Sequence, residues 1–198
     1  MSTRKVVVIG VFAAISAVLF LLDFPVFFAP GFYKMDFSEL PALIAGFALG
    51  PVSGVAVELI KVLLKLLFKG TSTAFIGDFA NFIIGTSFIL PAALIYHFKK
   101  TRTMAIVSCI AGTLVMTVFG SVFNAVYLLP AFASLYGMPL DSLIAMGTAV
   151  NARVTDIASF VVLCVAPLNL LKGTLISVIT VLIYKRISPI LKSGSGRA

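Results

Sequence analysis

The sequence predicts an all-α integral membrane protein with six transmembrane helices and both termini in the cytoplasm. Of its 198 residues, 61% are hydrophobic and 11% are charged, whereas a soluble domain usually carries about 25% charged residues. Six membrane helices of about 20 residues need about 120 apolar positions, and 61% of 198 residues supplies that many. This composition excludes a soluble enzyme, a disordered chain and a secreted disulfide scaffold. We therefore expect residues 1–198 to form a single membrane domain.

Apolar runs interrupted by charges, proline and glycine define the predicted spans. The first run ends at Asp23, and Gly50 with Pro51 separates the second from the third, because proline suits a first helical turn but not a helix interior. The first run resembles a secretory signal, but no small-residue cleavage site follows it, so we expect it to be retained. An apolar piece around 140–150 is expected to lie along the surface. The predicted spans cover about residues 5–22, 37–49, 51–68, 75–98, 104–129 and 157–184.

Basic residues indicate how the chain is oriented in the cell membrane. Six spans place both termini on one side, and that side carries nine lysines and arginines against three in the opposite loops. The nine are Arg4, Lys5, Lys99, Lys100, Arg102, Lys185, Arg186, Lys192 and Arg197, and the three are Lys34, Lys69 and Arg153. This excess assigns the termini to the cytoplasm. The net charge of +8 then reflects topology rather than a nucleic-acid interface, because the basic residues do not share one polar face.

Polar side chains inside the predicted spans are the candidate binding residues. A charge inside the membrane costs about 2.5–3.5 kcal/mol on insertion scales, so each one needs a reason. Lys172 either extends to the outer interface or donates into a cavity, and Asn169 lies on the same helix face. An isolated asparagine more often joins helices than binds a ligand, but these asparagines converge on the outer half of three spans. The candidates are Asn81, Gly85, Asn124, Tyr127, Asn169 and Lys172.

The third span carries a second group of charged residues. Glu58 and Lys61 are three residues apart and are interpreted as a mutually neutralising pair. Lys65, one turn further along, is interpreted as a lysine that extends toward the outer interface.

The residue types of the predicted pocket favour a flat, uncharged, heteroaromatic ligand. Amide groups can match the edge of an imide or a pyrimidine, while apolar walls contact the rings. The 18 phenylalanines of the chain are consistent with such walls.

Small residues on the first span indicate a close helix contact. Gly10 with Ala14 and Ala13 with Ala17 form two pairs with the small-xxx-small spacing, which lets helix backbones approach closely. The pairs either pack inside this chain or contact another membrane subunit.

Sequence motifs for catalysis are absent. There is no GxxxxGK[ST], HExxH, GxSxG or CxxC, and the seven carboxylates are scattered. Cys109 and Cys164 lie in apolar runs and are predicted to be packing residues. We therefore expect no enzyme activity, no cofactor and no metal, and any energy from ATP must come from a partner protein.

Four segments of the sequence resemble a known family. The segments KMDFSELPALIAGFALGPVSGVAVELIK, FANFIIGTSFILPA, NAVYLLP and PLNLLKGTLIS, at 34–61, 79–92, 124–130 and 167–177, are similar in content and order to bacterial riboflavin transporters. These proteins are the substrate-binding, or S, components of energy-coupling factor (ECF) transporters. The resemblance covers about residues 5–190.

The resemblance implies a six-helix fold that binds riboflavin beneath the loop after the first span. It implies flavin contacts from Asn124, Asn169 and Lys172, a matching motif at Asn81 and Gly85, and a lid end at Asp36 and Phe37. It also implies that Ala13 and Ala17 dock against a membrane coupling subunit, which two ATPase subunits accompany. The alternatives are an S component for FMN or another vitamin, and a standalone small-molecule carrier.

Overall fold

Residues 3–123 form five helices and a short β-hairpin. The structure is a computed structural model that describes residues 3–193. Its first helices are α1 (Thr3–Leu21), α2 (Glu39–Leu49), α3 (Pro51–Lys69), α4 (Ile76–Phe98) and α5 (Arg102–Phe123). Between α1 and α2, the antiparallel strands β1 (Phe24–Pro25) and β2 (Lys34–Met35) pair within a loop of residues 22–38, which we call the hairpin loop.

The second half contains two long helices that each include a π-helical turn. Helix α5 continues through the π turn Asn124–Leu128 into α6 (Leu129–Tyr136), and α8 (Ile157–Phe160) continues through the π turn Val161–Val165 into α9 (Ala166–Ser193). The helix α7 (Leu140–Val150) lies between them, at the apolar piece of the sequence.

The predicted fifth span therefore lies in a helix that is longer than expected. The expected end was at 129, before Pro130, but the helix continues to Tyr136 and ends at Gly137, which has a positive φ of 61°. Pro130 is tolerated because the π turn before it changes the hydrogen-bond register, with the Leu129 N–H donating to the Asn124 carbonyl, so the missing proline N–H leaves no gap in a regular α-helical ladder.

Four helical stretches in the described part of the chain are long and apolar enough to cross a membrane. They are Thr3–Leu21, Ile76–Phe98, Arg102–Tyr136 and Ile157–Ile183. Helix α2 has only 11 residues, and α3 has 19 residues but carries several charges. The protein is thus a multi-pass membrane protein, while the count of six spans and the cytoplasmic position of the termini stay predictions.

Close backbone approaches at glycine bring the central helices together. A Cβ added to Gly54 of α3 would lie 2.7 Å from a methyl group of Ile89 and 3.0 Å from the Ala42 carbonyl. A Cβ added to Gly112 of α5 would lie 2.7 Å from the Phe88 carbonyl. These contacts join α2, α3, α4 and α5 at short range, as small residues do in membrane helix packing.

The small residues of α1 face two different environments. Ala13 is 0% exposed and Ala17 is 3% exposed, on the face of α1 that packs against α2 and α3. Gly10 and Ala14 are exposed on the adjacent face of the helix. Both are covered by this chain's own helices, and the expectation that they dock against another subunit stays a prediction. Of the two alternatives, packing inside the chain is the one observed for this pair.

Candidate ligand-binding cavity

A cavity of about 290 Å³ lies at the end of the bundle where α3 ends and α4 begins. Its wall combines the hairpin loop, the first turn of α2, the end of α3 and the start of α4 with parts of α5, α6 and α9. The volume is close to the lower end of the range of about 300–1,000 Å³ for small-molecule pockets. The sequence elements that the wall joins are far apart along the chain.

Most of the residues predicted to bind a ligand line this cavity. Those in its wall are Asp36, Asn81, Gly85, Asn124, Asn169 and Lys172. Phe37 instead packs against the helical core and beside the Phe24 ring, at 6.2 Å between centroids. Tyr127 is 42% exposed and contacts the rings of Phe79 and Phe123 on the outside of the bundle. The structure therefore separates Phe37 and Tyr127 from the other six.

Lys172 reaches into the bundle and forms two ion pairs. Its Nζ lies 3.0 Å from Asp36 Oδ2 and 2.7 Å from Glu39 Oε1, and the residue is 9% exposed. Lys172 thus lies in the cavity wall, and its role as a donor to a ligand stays a prediction.

The Lys172 pairs belong to a larger group, which we call the buried charge cluster: Asp36, Glu39, Glu58, Lys61 and Lys172. Lys61 Nζ contacts Glu58 Oε1 and lies 3.4 Å from Glu39 Oε1. The predicted Glu58–Lys61 pair is thus present. Pairing of this kind offsets part of the desolvation cost of buried charges. The cluster connects the hairpin loop to α2, α3 and α9.

Gly85 contributes to the cavity because it has no side chain. A Cβ at this position would collide with Glu58 Oε1. The bare backbone of α4 therefore leaves the space that the Glu58 carboxylate needs to reach Lys61.

Lys65 has a different environment from the one predicted. Its Nζ lies 2.5 Å from Asp78 Oδ1 and donates to the Gly70 carbonyl at 3.0 Å, and its side chain is 14% exposed. The expectation that Lys65 extends toward the outer interface stays a prediction, and the structure adds two partners that the sequence did not indicate. Asp78 in the first turn of α4 holds it in the cavity wall, where a helix N-terminus also favours a carboxylate.

A hydrogen bond connects the hairpin loop to the opposite wall. The Tyr33 hydroxyl donates to Asn124 Oδ1 at 2.6 Å, and Asn124 Nδ2 donates to the Gly120 carbonyl at 2.7 Å. Burial raises the pKa of the Tyr33 phenol well above its ordinary value, so the group keeps its proton and stays a donor. Asn124 begins a π turn, and such turns recur at functional sites.

Two amides in the wall keep buried atoms without a partner among residues 3–193: Asn81 Oδ1 and Asn169 Nδ2. One is an acceptor and the other a donor. Asn169 Nδ2 would be 2.5 Å from a Cβ at Gly120, so this glycine makes room for it. Buried polar groups without partners are costly and need an explanation. A ligand that offers both a donor and an acceptor would supply one.

Sequence reasoning missed Tyr33, Glu39, Lys65 and Asp78 in the cavity wall. Glu39 and Asp78 each sit in the first turn of a helix, where an acidic residue has an ordinary explanation in the helix dipole. Glu39 pairs with a lysine 133 positions away, and no local pattern signals such a contact.

The fold and the cavity define the class of protein: a multi-pass helical membrane protein with a polar, loop-covered pocket for a small molecule. Within that class, a family model assigns the chain. It belongs to the family of substrate-specific components of ECF transporters, whose model matches residues 4–184. Since this is a family of transporter components, the prediction that the protein is not an enzyme is confirmed.

Individual relatives agree with this family. The chain is 37% identical over 190 residues to the riboflavin transporter FmnP of Bacillus subtilis (strain 168), covering 96% of this chain and 94% of the relative. It is 35% identical over 189 residues to the riboflavin transporter RibU of Staphylococcus aureus (strain TCH60), with 96% and 93% covered. A solved S component of a bacterial ECF transporter superposes with a TM-score of 0.74 at 34% identity, covering 97% of this chain and 99% of that one.

Proposed function

We propose that this protein binds riboflavin in its cavity and serves as the riboflavin-specific component of an ECF transporter in the cell membrane. The observation that carries the proposal is the pair of unpartnered amide atoms, Asn81 Oδ1 and Asn169 Nδ2, in the cavity wall. The imide edge of a flavin offers both acceptors and a donor, which are the groups that these atoms need. The relatives that are named riboflavin transporters support the same ligand.

The proposed binding mode uses the two kinds of wall that the cavity provides. Apolar side chains of Ile84, Met116 and Leu168 line it beside the amides, and such surfaces suit the faces of a fused ring system. Asn81, Asn124, Asn169 and Lys172 are the proposed polar contacts. Asp36 and Gly85 support the site indirectly. Asp36 pairs with Lys172, and Gly85 leaves space for the Glu58 carboxylate.

Binding of riboflavin tests this proposal directly. The protein is purified in detergent, its visible absorbance is recorded, and riboflavin is titrated while flavin fluorescence is followed. We expect a co-purifying flavin or stoichiometric quenching. A colourless protein that quenches neither riboflavin nor FMN would overturn the ligand, and other vitamins would then be screened. Preference for FMN would support the alternative ligand, for which Lys34 in the cavity wall is a cationic contact.

Transport by this component would require an energising module. We propose a membrane coupling subunit and two ATPases as partners, because the sequence has no GxxxxGK[ST] motif of its own. The exposed Gly10 and Ala14 on α1 are the proposed contact for the coupling subunit, since this small-residue pair is not covered by the chain itself. A standalone carrier is not favoured, because the family consists of components of a larger transporter.

A further inference from the structure

A second concave region lies between α5 and α9, outside the ligand cavity. It has a volume of about 390 Å³, and we call it the α5–α9 groove. Apolar residues line it at intervals of four or eight positions along each helix, which places neighbouring ones on one helix face. All of them are exposed on the outside of the bundle. They are Ile106, Ile110 and Leu114 on α5, and Leu170, Val178 and Leu182 on α9.

Two polar side chains of the groove bind to each other. Thr113 Oγ1 and Ser177 Oγ share a hydrogen bond at 3.3 Å. Cys109, which also lines the groove, is 1% exposed. A ligand in the groove therefore contacts mainly apolar side chains, and an apolar group gains the most from such contacts.

The groove is long and narrow. Leu182 lies twelve residues after Leu170, which corresponds to about 18 Å along α9, at about 1.5 Å per residue. This length is close to one leaflet of a hydrocarbon core that is about 30 Å thick. A volume of about 390 Å³ over this length leaves a mean cross-section of about 22 Å², whereas an α-helix about 10 Å across needs about 80 Å². A single extended acyl chain matches this shape better than a helix does.

Two arginines lie at one end of the groove. Arg102 precedes Ile106 by one helical turn on α5, and Arg186 follows Leu182 by one turn on α9. Both arginines therefore continue the edges of the groove, and both are exposed. Lys99, just before α5, is exposed as well. This end of the groove is positively charged.

The basic end of the groove lies on the side that the sequence predicts to be cytoplasmic. Anionic lipids give the cytoplasmic leaflet its negative surface potential, and basic pockets between membrane helices on that side bind anionic headgroups. Arginine also forms bidentate hydrogen bonds with phosphate. An apolar groove with a basic end thus complements a phospholipid that has a negatively charged headgroup.

We infer that the α5–α9 groove binds one anionic phospholipid, with an acyl chain along the groove and the headgroup at Arg102 and Arg186. The groove shares no lining residue with the ligand cavity. The inference therefore does not depend on which small molecule occupies that cavity.

Native mass spectrometry of the full-length protein tests this inference. The protein is purified in a neutral detergent and incubated with phosphatidylglycerol or with phosphatidylcholine that carries the same acyl chains. One variant combines Arg102→Gln with Arg186→Gln and removes both charges at the groove. The matched control combines Arg4→Gln with Arg153→Gln, which removes two exposed arginines elsewhere. Gel filtration checks that each variant is folded.

We expect the wild type and the control to retain one phosphatidylglycerol per chain and to prefer it over phosphatidylcholine about tenfold or more. The variant at Arg102 and Arg186 should lose this preference, because each basic residue near an anionic headgroup adds to the affinity. Equal binding of the two lipids by the wild type would overturn the inference. Equal retention of phosphatidylglycerol by the two double variants would overturn the headgroup site.

A second pair of variants tests the groove itself. Thr174→Phe places a ring in the groove, which Thr174 lines, whereas Val118→Phe adds the same ring at an exposed position outside it. We expect Thr174→Phe to retain less of either lipid and Val118→Phe to behave as the wild type. A Thr174→Phe protein that still retains phosphatidylglycerol would overturn the groove as the lipid site. Loss of ATP-dependent uptake by that same protein would instead identify a helix of a partner protein as the occupant.

Discussion

At the scale of single residues, the hydrogen bond between Tyr33 and Asn124 joins the hairpin loop to the cavity wall. We predict that Asn124→Ala and Tyr33→Phe each weaken riboflavin binding by about 1–3 kcal/mol, because each leaves a buried partner unpaired. The double variant should lose less than the sum of the two, since both changes remove the same bond. Riboflavin titrations of the four proteins measure this coupling, and strictly additive losses would contradict it.

Gly85 provides a second prediction at this scale. Gly85→Ala should destabilise the protein by about 1–3 kcal/mol, the usual cost of overpacking, because its Cβ would displace Glu58 from Lys61. Gly10→Ala is the matched control, since a Cβ at Gly10 has nothing within 4 Å. Thermal unfolding in detergent compares the two variants. Equal melting temperatures for both would show that Glu58 can move without cost.

The cavity residues differ in how far the sequence could predict them. Asn81, Asn169 and Lys172 are polar residues within apolar segments. The free-energy cost of placing such residues in a membrane identifies them as candidates for a functional role. Tyr33 and Asp78 could not be identified in this way, because tyrosines are common in loops and acidic residues are common in the first turn of a helix. Their importance depends on contacts between distant segments, which only the folded chain shows.

At the scale of elements, α1 presents different faces to the bundle and to the membrane. We predict that Gly10→Leu and Ala14→Leu leave riboflavin binding unchanged but block ATP-dependent uptake in cells, because both residues are exposed and bulky side chains would prevent close helix contact. Val118→Phe on α5 is the control, since this residue is 66% exposed on another face. Normal uptake by both α1 variants would place the partner surface elsewhere.

The helices themselves were largely predictable, but the π turns were not. Charges, glycines and prolines mark where apolar runs stop, as at Gly50 and Pro51. Each π turn inserts its change of register inside an apolar helix, and no residue type signals it. For this reason the fifth span was predicted to end at 129, whereas the helix continues to Tyr136.

At the scale of the whole molecule, composition alone was enough to predict a helical membrane protein, because 61% apolar residues cannot be buried inside a bundle of this size. Composition could not show how α2 and α3, one short and one charged, fit among the longer helices. The buried charge cluster answers this, since it pairs the charges of α3 with those of α2, α9 and the hairpin loop.

The length of the Arg102–Tyr136 helix also sets the depth of the cavity in the bilayer. Its 35 residues extend about 52 Å at 1.5 Å per residue, whereas the hydrocarbon core is about 30 Å thick and the whole bilayer about 40–45 Å. If Arg102 marks one surface, about 20 residues reach the far edge of the hydrocarbon, so Asn124 lies at that edge. A vitamin in aqueous solution would therefore reach the cavity at the level of the lipid headgroups, without entering the hydrocarbon core.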